Sequence, residues 1–301
     1  MSALAWRPKD FALALLVIVV WGLNFAVIKV GVVGVPPLLL GALRFTLVVL
    51  PAVLFLRPPK VPLRWYIAYG LTISVGQFAF LFSAIHVGMP SGLASLVLQS
   101  QSLFTLLLAG WWLRERWQAQ QLAGLALAGA GLALIGHAHG AAMPLAGFAL
   151  TLLAALSWAC GNIVTRVVSR YGPMNQLAFV VWAGLVPPLP FLGLSLWLEG
   201  PEVIAQSLTH LSWTTLAAVA YLAWMATLLG YGLWTYLMSR YPANRVAPFT
   251  LLVPLVGLTT GWLVFDEALQ THHLVGAALL MLGLLVNVFG GSLWSRPERP
   301  I

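Results

Sequence analysis

Of 301 residues, 61% are hydrophobic and 7% charged, against roughly 25% charged in an ordinary soluble domain, so lipid must be the solvent for most of this apolar surface. The formal net charge is +8, but the basic residues stand singly between apolar runs, which argues against a nucleic-acid partner. Cys160 is the only cysteine, which excludes a disulfide scaffold and a thiolate metal cluster.

The chain opens on MSALAWRPKD and a long apolar run. That run is too long for a signal core and no small-x-small cleavage site closes it, so it reads as an uncleaved first helix. A spanning helix needs about 20 mostly apolar residues. Applied along the chain, that rule predicts an all-α membrane protein with spans at 11–31, 36–56, 65–87, 91–112, 119–136, 146–168, 175–198, 212–238, 243–265 and 271–293. Turn or charge signals mark the joints, among them Pro36-Pro37, Arg57-Pro58-Pro59-Lys60, Met89-Pro90, His137 to Gly140, Gly172-Pro173, Tyr241-Pro242 and Asp266-Glu267.

Charge placement tests the count of ten. Loops on the side of both termini hold Arg7, Lys9, Arg57, Lys60, Arg64, Arg114, Arg116, Arg166, Arg170, Arg240, Arg245, Arg296 and Arg299. The opposite loops carry no Lys or Arg apart from Lys29 at the end of the first helix; they hold Glu199, Glu202, Asp266, Glu267 and all six histidines instead. Positively charged loops stay cytoplasmic, so both termini are expected in the cytoplasm of a multi-pass inner-membrane protein.

A shift of 152 residues superimposes Pro90 on Pro242, Glu115 on Glu267, Gln118 on Gln270, Gly124 on Gly276 and Gly131 on Gly283. Trp21 with Lys29 likewise parallels Trp158 with Arg166. The chain is therefore two five-helix repeats, 1–140 and 144–295, and an odd number of crossings inverts the second relative to the first. Such a pair encloses a site near the midplane, as a secondary transporter requires.

Several stretches resemble the EamA family of the drug/metabolite transporter superfamily: Val20–Phe25 (VWGLNF), Pro36-Pro37 with Leu43-Arg44-Phe45, Gly88–Ser95 (GMPSGLAS), Glu115 with Gln121–Gly124, Ser157–Asn162 (SWACGN) and Arg245–Pro248 (RVAP). Gln77–Phe82 and Leu251–Gly257 make bacterial exporters of O-acetylserine and cysteine the nearest likeness within it. The resemblance runs nearly end to end and implies a small-molecule exporter with no cofactor. Relatives on this scaffold also export aromatic amino acids, nucleobases and drugs, so those cargoes stand as the alternative.

Arg44 is the sharpest candidate, with eight residues before it and twelve after it in its predicted span. An arginine at that depth costs roughly 3 kcal/mol on insertion scales, and no Asp or Glu lies at matching depth. It either meets a substrate carboxylate through a forked hydrogen bond or holds the bundle by bonding backbone carbonyls. Ser91, Ser95 and Gln99 fall on one face of the fourth helix, with Ser102 continuing it. Asn24, Gln77 and Asn162 sit at similar depth, and Trp158 and Tyr231 are candidates to frame a small side chain. These residues form a cavity or bond helix to helix. Lys29 and Arg166 read as residues that snorkel to the headgroups. Glu115 and Glu267 read as structural or gating groups complementing the positive end of the helix that follows each. The glycines Gly124, Gly131, Gly276 and Gly283 allow close helix approach, within a protomer or between protomers; monomer and homodimer both remain open. Pro51, Pro187, Pro188, Pro190, Pro248 and Pro254 are expected to kink or break their spans.

Neither HExxH nor GxSxG occurs, every histidine lies in an outer loop and the carboxylates lie at the edges, which argues against an intramembrane enzyme and a metal site. The lack of a charged ring or filter-like repeat argues against a channel. No deep carboxylate offers a proton path, so proton-coupled and facilitated export both stand.

Overall fold

In hydrocarbon every backbone N–H and C=O must find its partner within the protein, which restricts spanning chains to helices or closed barrels. The computed structural model describes residues 7–137 and 143–294, and its elements there are all helical. Among the described residues ten helices are long and apolar enough to cross a membrane: α1 (Pro8–Gly34), α2 (Pro37–Phe55), α3 (Leu63–His86), α4 (Ser91–Trp112), α5 (Ala119–His137), α6 (Leu145–Tyr171), α7 (Gln176–Leu198), α8 (Trp213–Arg240), α9 (Ala247–Phe265) and α10 (Thr271–Phe289). They match the ten expected spans one for one. Arg296, Arg299 and most of the joint after His137 lie outside the described residues, as do residues 1–6 and 295 at the outer bounds of the two repeats.

The departures from regular helix have identifiable causes. α2 breaks at Leu50-Pro51 into Pro37–Val49 and Ala52–Phe55. α7 breaks after Ala183 and restarts at Pro188, because proline lacks the amide hydrogen a continuous helix needs. The chain leading into α9 runs through a 3₁₀ stretch, Ala247–Leu252, that contains Pro248. α3 and α8 each contain a π-helical segment, Gly70–Gly76 and Tyr221–Leu229. These coincide on the 152-residue shift, so the two repeats share a backbone device as well as residues. A short helix, Pro201–Thr209, lies in what the hydropathy pattern marks only as a loop between α7 and α8. Its single buried residue, Ile204, is too little apolar signal for that pattern to find.

α5 and α10 form the most extensive packing contact between the two halves. A methyl group built on Gly131 would stand 2.6 Å from the Gly276 carbonyl oxygen, and one on Gly283 would stand 2.6 Å from that of Gly124. The glycines therefore pack within one chain, repeat against repeat. Small residues let backbones approach and gain dispersion energy where lipid supplies no hydrophobic drive.

Gly131→Leu is expected to lower stability by about 1–3 kcal/mol, the usual range for overpacking, seen as a drop in Tm of the purified protein in detergent. Gly129 has nothing within 4 Å of the added carbon, so Gly129→Ala serves as control and should leave Tm unchanged or slightly raised.

Candidate substrate site

Between the halves lies a cavity of about 150 Å³, lined from the first half by Trp21, Asn24, Arg44, Gln77, Ser95 and Gln99 and from the second by Trp158, Tyr231 and Thr250, among others. Since one water needs about 10–15 Å³ on this measure, the space corresponds to about ten waters. Seven of the eight residues predicted to touch substrate are thus brought to one place. Asn162 is the exception. Its Nδ2 donates to Gln101 Oε1 at 2.6 Å and Thr105 Oγ1 at 3.0 Å, tying α6 to α4, and it is absent from the lining.

Arg44 is 3% exposed. Its guanidinium carbon lies 3.9 Å from the centre of the Phe78 ring, with the Phe45 and Phe82 rings at 5.5 and 5.9 Å. Nη2 donates to Thr227 Oγ1 at 3.1 Å. Nε and Nη1 are buried without a hydrogen-bond partner, and so is Oδ1 of Asn24. Buried polar groups are ordinarily paired, so two donor nitrogens and one acceptor oxygen on a cavity wall are a conspicuous set. No carboxylate is among the lining residues.

The helix irregularities place these groups. Gln77 follows the π-helical segment of α3 directly, and Tyr231 stands two residues after that of α8. Thr227 lies within the latter, its hydroxyl donating to Leu222 O at 2.9 Å. π-Helical turns occur often at functional sites because they re-aim the side chains around them. Trp21 Nε1 donates to Ala226 O in the same segment at 2.9 Å, and the Trp21 ring meets that of Tyr231 at 5.6 Å. Trp21, Phe25, Phe78 and Gln101 line the cavity without having been singled out from sequence. Trp21 had a usable signal, since its repeat mate Trp158 was already a candidate. Gln101 had none: it sits two residues from Gln99, on the other side of a regular helix, and the 3₁₀ turn Leu98–Ser100 changes the pitch between them.

At the ends of the bundle the structure corrects three readings. Lys29 does not snorkel alone: its Nζ lies 2.7 Å from Glu267 Oε1. Glu267 serves α4 rather than the helix that follows it, accepting from Ser91 N (2.8 Å), Ser91 Oγ (2.9 Å) and Gly92 N (2.9 Å). Arg166 is likewise paired, its Nη1 2.9 and 2.8 Å from the two oxygens of Glu115. The pairs are repeat mates, yet their surroundings differ. The Glu267 side chain is 8% exposed, whereas those of Glu115 and Arg166 are 51% and 46% exposed. Burial pushes the Glu267 carboxyl pKa up, but the hydrogen bonds from Lys29, Gly92 and Ser91 outweigh it and hold the group below its ordinary value.

Comparison with known proteins accords with this arrangement. The model of the EamA-like transporter family matches residues 10–136 and 145–289, one match per repeat. The chain is 53% identical over 285 residues to a probable amino-acid metabolite efflux pump of Salmonella typhimurium, covering 94% of this chain and 95% of that protein. It is 50% identical, with the same coverage, to a protein of that name in Escherichia coli. A probable terminal-alkyne amino-acid exporter of Streptantibioticus cattleyicolor is 28% identical over 90% of each chain. One solved structure superimposes with a TM-score of 0.62 over 97% of this chain and 100% of its own, at 21% identity, which supports the fold alone.

Glu267→Ala would strand the Ser91 and Gly92 amides and should cost about 1–3 kcal/mol. Glu115→Ala, at an exposed pair, should cost no more than about 1 kcal/mol; paired Tm measurements check the contrast. Because the Glu267 pKa is lowered on folding, its contribution is complete above the ordinary carboxylate range and is lost as pH falls through the depressed value. The difference in Tm between wild type and Glu267→Ala should therefore shrink below about pH 4.5.

Proposed function

The chain belongs to the EamA-like transporter family, and from that premise we propose that it exports small amino-acid-type metabolites, O-acetylserine and cysteine among them, across the inner membrane by alternating access. It is a multi-pass membrane transporter and not an enzyme. The observation that carries the cargo reading is the pair of unpartnered nitrogens on Arg44, which lines the same cavity as the unpartnered oxygen of Asn24. A carboxylate completes the guanidinium by a charge-assisted bond, and an amine completes the amide oxygen. The lining rings of Trp21, Phe25, Phe78, Trp158 and Tyr231 favour a second reading, an aromatic amino acid.

The two ion pairs support alternating access. Inverted repeats produce it by exchanging conformations about a fixed site, so repeat mates differ in any state that is open to one side. Lys29–Glu267 is part-buried and tied to the start of α4, while Arg166–Glu115 is half-exposed. The first end is closed and the second is loose. With the arginine-rich loops cytoplasmic, the closed end is the outer one.

Reconstituted in liposomes, the protein should show saturable counterflow of labelled cysteine or O-acetylserine, and an imposed pH gradient would read out coupling. Arg44→Ala should reduce counterflow at least a hundredfold with Tm retained, and Arg44→Lys should restore only part, since a point charge cannot replace the planar fork. Unchanged counterflow in Arg44→Ala would remove Arg44 from the site. In a Cys160→Ser background, a cysteine at position 95 should react with an impermeant maleimide from the cytoplasmic side, and Glu267→Gln should raise labelling from outside several-fold. Equal labelling in both proteins would deny the pair a closing role.

A further inference from the structure

We propose that the cavity recognises a carboxylate first and an amine second, so that its cargo class extends to α-amino acids acylated on nitrogen while amino-acid amides and esters are excluded. The inference rests on the reading that this cavity holds cargo, and it goes further by assigning unequal weight to the two ends of a zwitterion.

The asymmetry comes from the charges on the wall. Arg44 is the only cationic side chain among the lining residues, and no acidic one stands opposite it. The six acidic residues among the described ones, at 10, 115, 199, 202, 266 and 267, fall outside the lining. An α-ammonium entering here meets the neutral oxygen of Asn24 and the faces of Trp21, Trp158 and Tyr231, but no counter-charge. A carboxylate meets a guanidinium held on one side by Phe78 and Thr227, with Nε and Nη1 still unpartnered.

Removing either charge from the cargo therefore has different consequences. A cargo lacking its carboxylate leaves a buried cation uncompensated, the most costly form of a broken pair. A cargo whose amine is acylated keeps its carboxylate on Arg44 and keeps one N–H for Asn24 Oδ1. It gives up only the attraction of an ammonium for ring faces and a neutral amide, which is weaker. The acyl group converts a zwitterion to a monoanion, and the wall bears the complementary single positive charge.

N-acetylalanine and alaninamide separate these terms, because one keeps only the negative charge of alanine and the other only the positive. In counterflow of labelled cysteine, unlabelled N-acetylalanine should compete within tenfold of alanine, and alaninamide should be at least a hundredfold weaker. Thermal shift of the purified protein in detergent with the same compounds supplies a readout independent of transport. N-acetylalanine should raise Tm, alaninamide should not, and Arg44→Ala should abolish the rise. Alaninamide acting as well as or better than N-acetylalanine, by either measure, overturns the proposal. Absence of cysteine counterflow alongside the predicted thermal shifts would instead overturn the cargo reading above and leave the carboxylate preference standing.

Discussion

One guanidinium inside an apolar bundle that has no acid at its depth constrains everything else about the site. Burying Arg44 costs several kcal/mol even on lenient scales. The scaffold offsets part of this with the Phe78 face at 3.9 Å and the Thr227 hydroxyl at 3.1 Å. Cation–π attraction in a desolvated place contributes about 2 kcal/mol, and a hydrogen bond to a charged group about 1.5–3 kcal/mol. The residue is thereby held in one orientation with two N–H edges left over. A structural arginine bonded to backbone carbonyls, the alternative the sequence allows, would have spent those edges on the bundle.

Thr227 connects this charge to the second repeat. It belongs to the π-helical segment of α8, while Arg44 belongs to α2, so the bond crosses between halves. Its counterpart in the other repeat is the π-helical segment of α3, where Ser157 of α6 donates to Thr72 O at 2.9 Å, much as Trp21 of α1 donates to Ala226 O in α8. Each half's first helix is thus bonded to the π-helical segment of the opposite half. The symmetry continues in the glycine faces of α5 and α10 and breaks at the ion pairs. The ion pairs have partners to lose and can differ between states.

What was legible in the sequence follows the range of the physics involved. Span number and position depend on local hydropathy, and the arginine-rich loops gave an independent check. Arg44 stood out because depth alone makes a charge costly, and Ser95 with Gln99 because helical spacing puts them on one face. The repeat supplied Trp158 but its mate Trp21 was passed over as a landmark. Lys29–Glu267 is a contact between residues 238 apart, and no local pattern encodes it. The π-helical segments have no residue signature either: Gly70 and Gly76 bound the first, but nothing similar marks Tyr221–Leu229. Asn162 had the right depth, yet depth does not distinguish the helix face turned to the cavity from the one turned to Gln101 and Thr105.

The absence of an acid from the cavity also decides where a proton can act. Cargo and proton cannot compete for one deep group, so titration falls on the ends of the bundle. There Glu267, with its pKa lowered by Lys29 and the start of α4, is ionised throughout the neutral range, and its pair with Lys29 is intact under those conditions. If that pair opens during transport, something other than pH must loosen it. The cavity draws its walls from both halves, and Arg44 already bridges them through Thr227, so a carboxylate that completes the guanidinium changes the balance of bonds across that same boundary. Differential binding of this kind is the only way a ligand shifts a conformational equilibrium. On the proposed reading, cargo binds where its charge has most leverage over the contact between the repeats.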